Sequence, residues 1–124
     1  MNDPAAMGAR AAAERLSPLH GPRLITDVEA VLHARGTEQP PDRFLDPVAV
    51  ASLIVAAATL AWTVYNDLKT RTSAAPTAQV VTRTVTTRLR RTRTLTREET
   101  AIVTTTVGET LTPLDKHVPG KKGT

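Results

Sequence analysis

The chain contains no cysteine, which excludes disulfide frameworks and thiolate metal sites and leaves its redox compartment open. Only Phe44, Trp62 and Tyr65 are aromatic, so the large rings that dominate core burial in most domains are scarce. No Gly-rich phosphate loop and no nucleophile elbow is present. His20, His33 and His117 are isolated from one another and point to no metal site. The carboxylate pair Glu98-Glu99 opens a predicted helix, where negative charge meets the helix dipole, and this explains it better than acid/base chemistry does. These absences make an enzyme the least expected class, and no cofactor is implied.

Acidic residues are also missing where basic ones are dense. Residues 1–46 carry a net charge of −2 and residues 67–124 a net charge of +6, although the whole chain is only +4. Between the two halves lies a run without any charge, Pro47 to Asn66, about as long as a helix needs to cross a bilayer. A signal peptide would place its apolar stretch near Met1, so this run reads as an uncleaved span. Phe44 at one end, with Trp62 and Tyr65 at the other, are candidate interfacial anchors. Ala49, Ser52, Ala56, Thr59, Thr63 and Asn66 recur at spacings of three and four and form a stripe of small and hydroxyl residues. In lipid such a stripe allows close approach of a second helix, which makes it a candidate seam for self-association or for pairing with another span. The run has many alanines and few Leu or Ile, so its drive to insert is close to threshold.

Before this run, Asp3-Pro4 predicts a helix through the alanines to Leu16, ended by Ser17-Pro18. Thr26 and Glu29 fit a capping box, which predicts a second helix from Asp27 to Arg35 with Gly36 as its stop. Gln39-Pro40-Pro41 reads as a stiff spacer. After the run, residues 80–96 are mostly Thr, Val and Arg, a composition that favours extended or β-like structure. Arg88, Arg90, Arg91 and Arg93 form a basic cluster there, suited to anionic lipid, an acidic protein partner or nucleic-acid phosphates. With no aromatic among these arginines to stack on bases, a nucleic-acid role rests on charge alone and is not expected. Thr96 and Glu99 make a second capping box and predict a helix from Arg97 to about Leu111, whose Ile102, Val103, Val107 and Leu111 face is a candidate protein contact. Residues 113–124 read as a disordered tail.

The Arg-, Ala- and Thr-rich composition fits a bacterial source of high GC content. The run from Asp46-Pro47 to Leu60-Ala-Trp-Thr-Val-Tyr-Asn-Asp-Leu68 resembles short uncharacterised actinobacterial single-span proteins, over about a fifth of the chain. That resemblance implies an anchored accessory protein and transfers no functional residue. The expected fold is mainly α: a single transmembrane helix with short flanking helices, an extended Thr/Arg-rich segment, disordered tails and no large globular core. The expected organisation is an N-terminal region at 1–46, the span at 47–68, a linker at 69–79, a basic segment with a C-terminal helix at 80–112, and the tail. The expected function is a non-enzymatic single-pass membrane anchor with a cytoplasmic C-terminus, whose basic tail binds a protein partner or anionic lipid. The bias of Lys69, Arg71 and Arg83 against Arg35 and Arg43 sets that orientation. Two alternatives are a small holin-like membrane-permeabilising protein and a soluble basic nucleic-acid binder.

Overall fold

The computed structural model describes the backbone of residues 4–34, 46–72, 76–92 and 94–116, with side chains over 4–33, 50–71, 76–92 and 94–112. Among the described residues five helices follow in order: α1 (Pro4–His20), α2 (Arg23–Ala34), α3 (Asp46–Thr72), α4 (Ala78–Arg90) and α5 (Arg97–Lys116). They form a closed bundle in which α3 touches each of the other four, and α1 lies against α5 to complete the ring. This corrects the expectation of a lone span with weakly folded flanks.

The bundle closes because α3 has no strongly polar side to leave in water. Leu53, Ile54, Val55, Val64 and Tyr65 are buried together with Ala51, Ala57, Ala58 and Ala61. Each fully buried Leu, Ile or Val contributes about 1.5–3 kcal/mol relative to exposure, so a cover for this helix is worth ordering. The flanks provide it with small side chains held close. In α1 the buried residues are Ala5, Ala6, Gly8, Ala9, Ala12, Ala13 and Leu16. An alanine face gains little burial per residue but lets backbones approach to the short end of the usual range of helix separations.

Gly8 leaves no room for a side chain. A Cβ built there would lie 2.1 Å from Oγ1 and 2.6 Å from Cα of Thr110, so any side chain would have to push α5 away. Thr110 itself is buried, and its hydroxyl donates to the Thr106 carbonyl at 2.8 Å; Thr106 in turn donates to Ile102 at 2.8 Å. Satisfied by their own helix, these hydroxyls can be buried without leaving orphaned polar groups. Two ion pairs tie the outside of α1: Arg10 to Glu29 of α2, with nitrogen to oxygen distances of 2.5 and 3.2 Å, and Arg15 to Glu109 of α5 at 3.4 Å.

Helix α1 runs past its predicted end to His20. Pro18 has no N–H for the Glu14 carbonyl, and the Ser17 hydroxyl donates to that carbonyl instead, at 3.2 Å. Gly21 then turns the chain at φ +98°, a conformation open to glycine, with its N–H on the Ser17 carbonyl. Because this turn feeds directly into α2 at Arg23, Thr26 lies inside the helix rather than capping it. The capping box predicted for α5 is present: Glu99 N–H donates to Thr96 Oγ1 at 3.0 Å, and Thr96 N–H to Glu99 Oε1 at 2.9 Å.

The segment predicted as extended is helix α4. The Thr77 hydroxyl accepts from Val80 N–H as N-cap, and Val81, Val85 and Leu89, spaced four apart, are buried on one side. Thr84 returns its hydroxyl to the Val80 carbonyl at 3.0 Å, so a β-favouring residue is accommodated in the helix. Burial of that apolar row overrides a local preference that is worth at most about 1 kcal/mol. At the other end, α5 continues through Pro113 to Lys116, beyond its predicted stop; the rest of the predicted tail, 117–124, lies outside the described residues, as does the spacer at 39–41.

Two outcomes are expected. Gly8→Ala would raise stability by about 1 kcal/mol on helix propensity alone, but the clash with Thr110 reverses the sign. Urea unfolding should therefore show a loss of about 1–3 kcal/mol, with a larger loss for Gly8→Val. The Arg10 hydrogen bonds, opposed by desolvation and helped by the charges of Arg10 and His33, hold the Glu29 carboxyl below its ordinary value. The unfolded chain therefore takes up that proton first, so the stabilisation is present above the unfolded pKa and lost as pH falls through the folded one. Both side chains are more than a third exposed, which limits the pair to about 1 kcal/mol or less. Glu29→Gln should weaken the protein by that amount at neutral pH and match wild type in strong acid, in paired urea titrations.

Candidate interaction surface

The outer side of α4 is the most chemically distinctive surface. With Val81, Val85 and Leu89 turned inward, Arg83, Thr87, Arg88, Arg90 and Arg91 are exposed. Between Leu68 and Thr96 the sequence has seven basic residues and no Asp or Glu. Among the described residues, Arg83, Arg88, Arg90 and Arg91 enter no ion pair, and the pairs that do form involve α1, α2, α3 and α5. Arginine in this state is a fork of donors available to carboxylate or phosphate. Of the predicted basic cluster, Arg88, Arg90 and Arg91 sit together at the C-terminal end of α4, and Arg93 lies outside the described residues. The helix dipole places its negative end at the same point, which favours holding cations there.

Beside this face, α4 and α5 run antiparallel, joined through residues 91–96, and leave an open groove of about 450 Å³. Ala78, Gln79, Thr82 and Arg83 line one wall, and Thr104 and Gly108 the other. A Cβ on Gly108 would meet nothing within 4 Å, in contrast to Gly8. Its floor is mostly apolar, and Arg83 is its charged wall residue. This groove was not visible in the sequence, because it depends on α4 being a helix; the spacing of Val81, Val85 and Leu89 is the signal that would have revealed it.

The other predicted site residues are placed differently. Ile102, Val103, Val107 and Leu111, predicted as a contact for another protein, are all buried in the core that α5 shares with α1 and α3. That face is occupied by the chain itself, because the helices flanking α3 pack on it and on α5 as one core. On α3, Thr59 and Thr63 are exposed and Ser52, Ala56 and Asn66 half-buried, so the stripe of small residues is the side of the helix least covered by its neighbours. The side chain of Ala49 lies outside the described residues. Thr63 donates to the Thr59 carbonyl at 3.0 Å.

Trp62 is half-buried and Tyr65 buried; their rings stack with centroids 6.3 Å apart, and the Lys69 ammonium lies 5.8 Å from the Tyr65 ring centre. The two aromatics thus brace the C-terminal part of α3 within the bundle. Phe44 lies outside the described residues.

Helix α3 contains one stretch, Val50–Arg71, long and apolar enough to cross a membrane by length and composition, and half of it is buried inside the bundle. Among the described residues no three His, Cys, Asp or Glu come together as a metal site would require. No protein-family model, curated protein or solved structure matches the chain.

Proposed function

We propose that this is a non-enzymatic accessory protein that acts by binding, with the arginine face of α4 engaging a negatively charged partner. The observation that carries the reading is the set of exposed arginines, Arg83, Arg88, Arg90 and Arg91, that enter no ion pair among the described residues, on a helix with no acidic residue. A protein has little stability to gain from such a cluster, since like charges on one helix repel. An acidic protein surface is the favoured partner. Anionic lipid shares the same chemistry, whereas nucleic acid would find no aromatic residue on α4 to stack against.

A membrane anchor is the second reading, and the length and hydropathy of Val50–Arg71 favour it. In that form α3 would span the membrane with the C-terminus in the cytoplasm, beside Lys69, Arg71 and the arginines of α4. It requires α3 to leave four helices that already cover it. Thr59 and Thr63 on its outer side suit water at least as well as acyl chains.

Fractionation with an alkaline carbonate wash separates the two readings. The bundle predicts recovery in the supernatant without detergent; retention in the washed membrane pellet would support the anchor instead. The binding face is tested on a polyglutamate resin, where Arg88→Glu/Arg90→Glu/Arg91→Glu should elute at much lower salt than wild type while keeping its helical circular dichroism. Equal elution would remove α4 from the account.

A further inference from the structure

We propose that the groove between α4 and α5 docks an acidic amphipathic helix of a partner protein, which is a specific form of the binding role assigned above to α4. The shape of the groove and its charge point to the same occupant. Its walls are two antiparallel helices, and the α5 wall is formed by Thr104 and Gly108, four residues apart. Residues four apart lie one above the other on a helix, so these two form a small-residue step that another helix can approach closely. A volume of about 450 Å³ holds the few side chains that one turn of such a helix projects. The lining, from Ala78, Gln79, Thr82, Arg83, Thr104 and Gly108, is mostly apolar. A nucleic-acid backbone has no apolar group of that size to insert, and a flat headgroup layer cannot enter a concave site.

Charge decides the rest. Arg83 lies on the groove wall, and Arg90, two turns further along α4, is exposed as well. Carboxylates spaced at one or two turns on the incoming helix would meet both. A basic helix would meet uncompensated arginines, so the surface discriminates by repulsion as well as by attraction. The mode is a helix laid in a groove, with apolar anchors at helical spacing and a charged rim.

The test uses the full chain and a set of synthetic helical peptides with a Leu/Ala face flanked by Glu, read by fluorescence anisotropy. Peptides of the same composition in scrambled order, phosphatidylglycerol vesicles and duplex DNA serve as comparison probes. Gly108→Leu fills the groove from a position with open space around it, and it replaces a poor helix former with a good one. Its melting temperature should equal or exceed that of wild type, while affinity for the acidic helices falls about tenfold or more, the effect of losing one anchor pocket. Arg83→Glu should produce a similar loss. Should Gly108→Leu bind as wild type does while the triple arginine variant of α4 does not, the groove proposal fails and the basic-face reading stands. Should vesicles or DNA bind and the ordered acidic helices bind no better than the scrambled ones, the proposal is overturned in favour of those partners.

Discussion

The structure depends on the need to cover one helix around most of its circumference. Helix α3 buries bulky residues and alanines around most of its circumference, and an apolar helix with so little polar surface has two stable environments, a membrane or the centre of a bundle. The other four helices supply the second. They do so largely with small or branched side chains: alanine and glycine with Leu16 on α1, Leu24 and Val28 on α2, valine with Leu89 on α4, and Ile102, valine, threonine and Leu111 on α5. Many of these side chains bury little area each, so the cover works when helices come close, as Gly8 does against Thr110.

Close approach explains the abundance of threonine. A hydroxyl buried in a core is costly unless it is bonded, and on a helix the carbonyl one turn back is always within reach. The buried Thr106 and Thr110 both make that bond, as do the half-buried Thr84 and the exposed Thr104 and Thr112. Each then behaves as a valine of slightly different shape, which lets α5 turn Thr106 and Thr110 inward beside Val103 and Val107. The same substitution of threonine for larger residues leaves the outer side of α4 and α5 shallow, and the groove beside Gly108 is a consequence.

Legibility in the sequence followed the range of the interaction involved. The capping box at Thr96 and Glu99 and the charge-free run of α3 rest on neighbours within a turn or within one segment, and both are found as expected. The role of α3 in the bundle was not legible, because length and hydropathy are the same for a core helix and a span. What distinguishes them is the shell, and here the shell is spread over four helices, as the alanines of α1, Leu24 and Val28 of α2, the valines of α4 and the Ile102–Leu111 face of α5, so no single flanking stretch stands out as apolar. Helix α4 differs from its expected extended form for a related reason: its Thr- and Val-rich composition favours a strand, and contact with α3 and α5 selects the four-residue spacing of Val81, Val85 and Leu89. The Ile102–Leu111 face was legible as an apolar face but not as one already filled. The basic face needed no long-range information, since charge without counter-charge is visible in the chain itself.

That α3 is the core of a bundle is shown; that its outer side faces water rather than lipid is the central proposal, and the absence of cysteine makes it directly measurable. Ala58 is fully buried and its neighbour Thr59 exposed. Single-cysteine variants Ala58→Cys and Thr59→Cys, prepared without detergent, can be titrated with a water-soluble maleimide before and after denaturation. The bundle predicts rapid labelling at 59 and protection at 58 until the protein unfolds. Protection at both positions in cell membranes, relieved only by detergent, would place α3 in the bilayer and contradict the account.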